Sequence, residues 1–216
     1  MAQFDESKNK LVVKIVYYGP ALSGKTTNLM QLHDAINPTQ RGDLLSLETK
    51  GDRTLFFDLL PLVVRSKTNF LLKIKLFTVP GQVAHDATRK AVLSRADGVV
   101  FVADSQQSQS MSNFESFDNL EKNALRVGLN VDTLPLVIQY NKRDLEGIEP
   151  ESEVLQRWGP TGLPVTFAAA LKGLGVVETF RQILVLTYRS LDKHHGLEQE
   201  HGMAEDDFLC LINASA

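Results

Sequence analysis

The sequence predicts an α/β fold: a mostly parallel six-stranded sheet with helices on both faces and one antiparallel hairpin at its edge. Three observations carry this. Apolar strand-like runs alternate with segments of helical period along the 216 residues. The first run ends in Gly19-Pro20-Ala21-Leu22-Ser23-Gly24-Lys25-Thr26, a GxxxxGKT spacing, and helix-compatible Thr27-Asn28-Leu29-Met30-Gln31-Leu32 follows it. Each polar motif falls at the C-terminal end of a strand, which is where open α/β sheets bind ligands.

Taken in order, residues 11–18 read as a buried strand and 26–36 as a helix stopped by Asn37-Pro38. Residues 39–53, with Gly42, Asp43, Glu48, Lys50, Gly51 and Asp52, are too polar and glycine-rich for a core element and read as a long surface loop. Residues 55–64 and 70–77 are apolar and close enough in sequence to pair as a hairpin through 65–69. A polar helix is expected over 86–95 and a buried strand over 98–103. Phe114, Phe117, Leu120, Ala124 and Val127 recur at helical spacing, so 112–127 should lay that stripe on the sheet. A strand at 134–140, a helix at 151–158, a short strand at 164–168 and an amphipathic helix at 175–191 complete the alternation.

The first motif has a definite chemistry. A triphosphate needs backbone N–H groups converging on its oxygens; Gly19 and Gly24 permit the tight path, and the helix that follows points its positive end at the anion. Lys25 reaches the β and γ phosphates in such a loop, and the Thr26 hydroxyl ligates Mg²⁺. A second motif, Asn141-Lys142-Arg143-Asp144, has NKxD spacing at the end of a later strand. Guanine presents N1–H and an exocyclic amine side by side, which the Asp144 carboxylate can accept in bidentate fashion; adenine has no such pair. The stem of Lys142 suits the base plane, and Asn141 suits a tie to the phosphate loop.

Bulk properties narrow the function further. With 23 basic and 26 acidic residues the net charge is -3, which gives no electrostatic reason to expect nucleic acid or a broadly anionic membrane as the main partner. Cys210 is the single cysteine, so an internal disulfide framework and a CxxC site are excluded, in keeping with a reducing cytoplasm. No signal peptide, apolar span of transmembrane length, myristoylation glycine or C-terminal prenylation cysteine is seen, so direct membrane insertion is not expected.

The two motifs, in this order and over about residues 11–191, resemble a small Ras-like GTPase. More narrowly, Thr78-Val79-Pro80-Gly81-Gln82 together with Gly19-Pro20 and Leu22 to Leu29 resemble the bacterial MglA family of gliding-motility and cell-polarity proteins. The resemblance implies bound GTP or GDP with Mg²⁺ and a Ras-like domain over residues 1–192. It implies that Thr54 senses Mg²⁺ and the γ phosphate, that Arg53 is an arginine supplied in cis, and that Gln82 orients the attacking water beside Gly81. It also implies that backbone N–H groups at Ala169 and Ala170 meet the guanine carbonyl. Partners implied are a roadblock-fold MglB-type activating protein and a response-regulator-type protein that recruits the chain to a pole.

The physical reading agrees. Phosphoryl transfer is mostly positioning and charge stabilisation, so a water-orienting amide and a guanidinium near the γ phosphate are the parts that set the rate. Two departures stand out. Thr78 replaces the usual aspartate near Mg²⁺, which predicts a metal that depends more on Thr26, Thr54 and the phosphates. Ala21 replaces a usual glycine, with a Cβ directed towards the space that Gln82 needs. A slow hydrolysing switch and a GTP-binding scaffold with negligible hydrolysis therefore both stay open; a P-loop ATPase or kinase is disfavoured by Asp144. Residues 193–216 carry five acids, then Phe208-Leu209-Cys210-Leu211-Ile212, and are expected as a flexible acidic tail or a docking peptide. His194 and His195 are expected there as a solvated pair.

Overall fold

Residues 3–5, 9–48, 56–66, 70–81 and 86–213 are described by a computed structural model of the chain. The strands are β1 (Gln3–Asp5), β2 (Lys10–Tyr18), β3 (Leu45–Glu48), β4 (Phe56–Arg65), β5 (Leu71–Thr78), β6 (Gly98–Asp104), β7 (Leu136–Asn141) and β8 (Val165–Phe167). The helices are α1 (Lys25–Ala35), α2 (Asp86–Leu93), α3 (Ser110–Arg126), α4 (Glu151–Trp158), α5 (Val176–His195), α6 (Leu197–His201) and α7 (Glu205–Asn213).

The sheet runs β3-β4-β5-β2-β6-β7-β8, and β1 pairs with the start of β2. From β5 to β8 it is parallel; β3, β4 and β1 are antiparallel additions. Strand β6 pairs with β2 only from Ile15 onward, which leaves the edge of residues 10–12 for β1. The period of two sorts β2 between the two faces. Leu11, Val13, Ile15 and Tyr17 enter one core with α1, α5 and the C-terminal helices, while Val16 and Tyr18 enter the other with α2, α3 and α4. This is the Ras-like α/β architecture expected from the sequence.

The sheet holds eight strands among the described residues, where six were expected. Residues 45–48, read as loop, form an edge strand paired from Leu45↔Leu59 to Glu48↔Phe56. An edge strand tolerates polar residues because one side needs no partner, and that is why its composition looked like a loop. The short β1 carried no pattern long enough to read.

Helix α3 lays Phe117, Leu120, Ala124 and Val127 against the core as their spacing suggested, and Phe114 departs from the stripe. Phe114 is 69% exposed, and the buried positions are Asn113, Ser116, Leu120, Asn123 and Ala124. Two of the polar members, Asn113 and Asn123, are held there by hydrogen bonds. Asn123 donates to Asp86 Oδ1 at 2.8 Å and to the Tyr18 hydroxyl at 3.3 Å, and Asn113 brackets the backbone of Asp104.

The segment after residue 192, expected as a flexible tail, continues α5 to His195 and then forms α6 and α7. Its apolar run lies within α7, which packs on α5 and β4, and Leu197, Met203, Phe208 and Leu211 are fully buried. The Phe208 ring meets Tyr188 edge-on at 5.1 Å, and the Tyr188 hydroxyl donates to Met203 O at 3.0 Å. Three of the five acids, Glu205, Asp206 and Asp207, lie at the start of α7, where carboxylates favour a helix N-terminus, and Glu198 and Glu200 lie in α6. His194 is exposed, whereas His195 and His201 lie against the Phe4 ring of β1. No group of three or more metal-ligating side chains occurs among the described residues, and no described helix is long and apolar enough to cross a membrane.

Candidate nucleotide-binding site

Three loops meet at the C-terminal edge of the sheet, and Asn141 at the end of β7 joins them. Its Nδ2 donates to Ser23 O at 2.8 Å in the loop between β2 and α1, and its Oδ1 accepts the Ala170 N–H at 2.9 Å. The β2–α1 loop needs both its glycines. Gly19 has φ 146° and Gly24 φ 97°, and a Cβ at either would lie 2.2 Å from a neighbour, Val102 O in the first case and Asn141 Nδ2 in the second. Leu22, at φ 61°, is 88% exposed at the tip, whereas Ser23 is buried.

Lys25 at the start of α1 folds back over this loop, its ammonium donating to Pro20 O at 2.5 Å and Gly19 O at 3.0 Å. Burial lowers its pKa to about 7; the Arg89 guanidinium adds to the fall and the Asp58 carboxylate opposes it. A buried cation so placed is stabilised by any anion brought to the loop.

Beside it lies a carboxylate that the sequence reading missed. Asp58 of β4 is nearly buried; its Oδ2 accepts the hydroxyls of Thr26 at 2.6 Å and Thr78 at 3.0 Å, and its Oδ1 accepts Ser46 at 2.8 Å. Its own N–H donates to Thr78 Oγ1 at 2.9 Å. Thr78, expected to leave this region without the usual carboxylate, thus has the Asp58 carboxylate of the adjacent antiparallel strand beside it. A hydroxyl at Thr26 and a carboxylate at Asp58 form a hard oxygen set that fits Mg²⁺. One signal was present in the sequence: Asp58 stands in register with buried Leu60, Leu62 and Val64, a charge where the strand's inward face is otherwise apolar.

The Gly81 backbone packs directly on the β2–α1 loop, so that a Cβ there would lie 2.3 Å from Ala21 Cα. Arg53, Thr54 and Gln82 lie outside the described residues.

At the other end, a cavity of about 190 Å³ is lined by Gly24, Thr27, Lys142, Asp144, Ala170 and Leu171, among others. Lys142 has φ 68°, and its ammonium meets Asp104 Oδ2 at 2.6 Å. Lys172 stands 3.6 Å from Asp144 Oδ2 at the rim. Arg143 turns away, donating to Glu149 O at 2.7 Å and stacking over Phe167. The N–H groups of Ala169 and Ala170, expected to meet guanine, both have partners within the protein. Ala169 donates to Leu174 O at 3.0 Å and Ala170 to Asn141 Oδ1. Asp104 and Asn113 were also missed, since nothing local in the sequence ties the end of β6 to Lys142.

No family model matches the chain. It is 42% identical over 193 residues to the mutual gliding-motility protein MglA of Myxococcus xanthus (strain DK1622), covering 89% of this chain and 99% of that protein. On that likeness, and on a Ras-like sheet with the phosphate loop and the NKRD loop tied together at its C-terminal edge, the chain belongs to the MglA family of small GTPases.

Proposed function

We propose that the chain is a GTP-binding molecular switch that hydrolyses GTP slowly and acts in cell polarity or motility through partner proteins. The observation that carries this reading is the Asn141 junction, which sets an Asp144 carboxylate and a glycine-rich anion loop on the same cavity. Asp144 pairs with the two adjacent donors of guanine, and the loop's N–H groups with Lys25 take the phosphates. Thr26 and Asp58 would hold Mg²⁺, which supplies charge neutralisation at the β and γ phosphates when bound. Thr54 and Gly81 respond to the γ phosphate, Gln82 orients water, and Arg53 adds positive charge as the bond to the leaving phosphate breaks.

The resemblance further suggests an MglB-type roadblock activator, a response-regulator-type recruiter at the pole, and a cytoplasmic site of action. The scaffold reading has its own support, since Ala21 puts a methyl on the loop that the Gly81 backbone already touches. Multiple-turnover phosphate release separates the two. The switch reading expects slow release from the chain alone and a clear acceleration by a roadblock-type activator; no release above background under either condition contradicts it and favours the scaffold.

A further inference from the structure

We infer that Asp104 is a positioning residue for guanine nucleotide binding, acting through Lys142; this rests on the reading of residues 141–144 as the base site. Asp104 ends β6, opposite Asn141 of β7, and is buried. Its Oδ2 takes the Lys142 ammonium at 2.6 Å, while its Oδ1 accepts the Gln106 N–H at 3.0 Å. Asn113 fixes its backbone from both sides, accepting the Asp104 N–H at 2.9 Å and donating to Asp104 O at 2.8 Å. Ser105 N–H donates to Asn141 O at 2.9 Å, so the two strand ends form one rigid unit.

Lysine has a long flexible stem, and holding it against a base costs rotamer freedom. Here a buried carboxylate fixes the far end, so Lys142 already lines the cavity together with Asp144 and that freedom is lost on folding, not on binding. The carboxylate is suited to this task. Its second oxygen and its backbone are held independently of Lys142, so its position does not depend on the ligand, and a buried charge of this kind requires its counter-ion. Lys142 has a left-handed backbone, and its side chain reaches Asp104 at the end of β6.

The test is a double-mutant cycle on the release of fluorescent methylanthraniloyl-GDP from the full chain, followed by stopped flow. Asp104→Asn should accelerate release on the order of tenfold, Lys142→Met should accelerate it at least as much, and the double variant should match Lys142→Met alone. Asp104→Ser enters the same cycle if the asparagine variant does not fold. Equal acceleration by the Asp104 substitution in the presence and absence of Lys142 would overturn the inference, since Asp104 would then act through the fold, as would no acceleration at all. If the unaltered chain retains no guanine nucleotide, the reading of the base site itself fails, an outcome distinct from additivity in the cycle.

Discussion

Asp58 and Lys25 show how single residues acquire properties that their neighbours in sequence do not announce. The Asp58 carboxylate collects three hydroxyls, from Ser46 of β3, Thr78 of β5 and Thr26 of α1. Asp58→Asn keeps the shape and removes the charge. Nucleotide release from this variant should be faster with Mg²⁺ present and should respond less to chelation by EDTA than release from the unaltered chain, with a difference of about tenfold or more. Equal EDTA sensitivity would remove Asp58 from the metal's surroundings. For Lys25 the sign is set by burial. Free lysine keeps its proton to about 10.5, whereas folded, nucleotide-free Lys25 keeps it only to about 7. Between those values the unfolded chain holds more protons, so the nucleotide-free fold gains stability as pH rises from 7 towards 10.5. Urea titrations across this range should show the rise, and Lys25→Met should flatten it.

At the scale of elements, what could be read depended on whether a segment's burial followed from its own composition. Central strands such as Leu136–Asn141 are buried on both faces and announce themselves as apolar runs. Helix α3 was legible in part: Phe117, Leu120, Ala124 and Val127 face the core as their spacing suggested, but the inward face also carries Asn113 and Asn123, whose partners come from β2, α2 and β6. The C-terminal apolar run was visible as a run, but its destination on α5 and β4 is a tertiary fact. Phe208→Ala tests it directly: loss of a fully buried ring should cost about 3–5 kcal/mol of unfolding free energy in urea denaturation. A change below about 0.5 kcal/mol, the range of surface substitutions, would mean that α7 does not contribute to the core.

In the whole molecule, the sheet order converts distant stretches of sequence into one edge. The GxxxxGKT and NKRD motifs were legible because each is a contiguous spelling of a backbone requirement, and their shared location followed from parallel topology. Asp58 and Asp104 were not legible as site residues, because their partners come from other elements, across the antiparallel β4–β5 pair for Asp58 and from the β7 end for Asp104. The central claim is that this edge binds guanine nucleotides and discriminates against adenine through Asp144. Displacement of methylanthraniloyl-GDP by unlabelled nucleotides measures it most directly. GTP and GDP should displace the probe at comparable concentrations, while ATP should fail even at about a hundredfold excess, a difference of at least about 2.7 kcal/mol; ATP displacing as well as GTP would contradict the account.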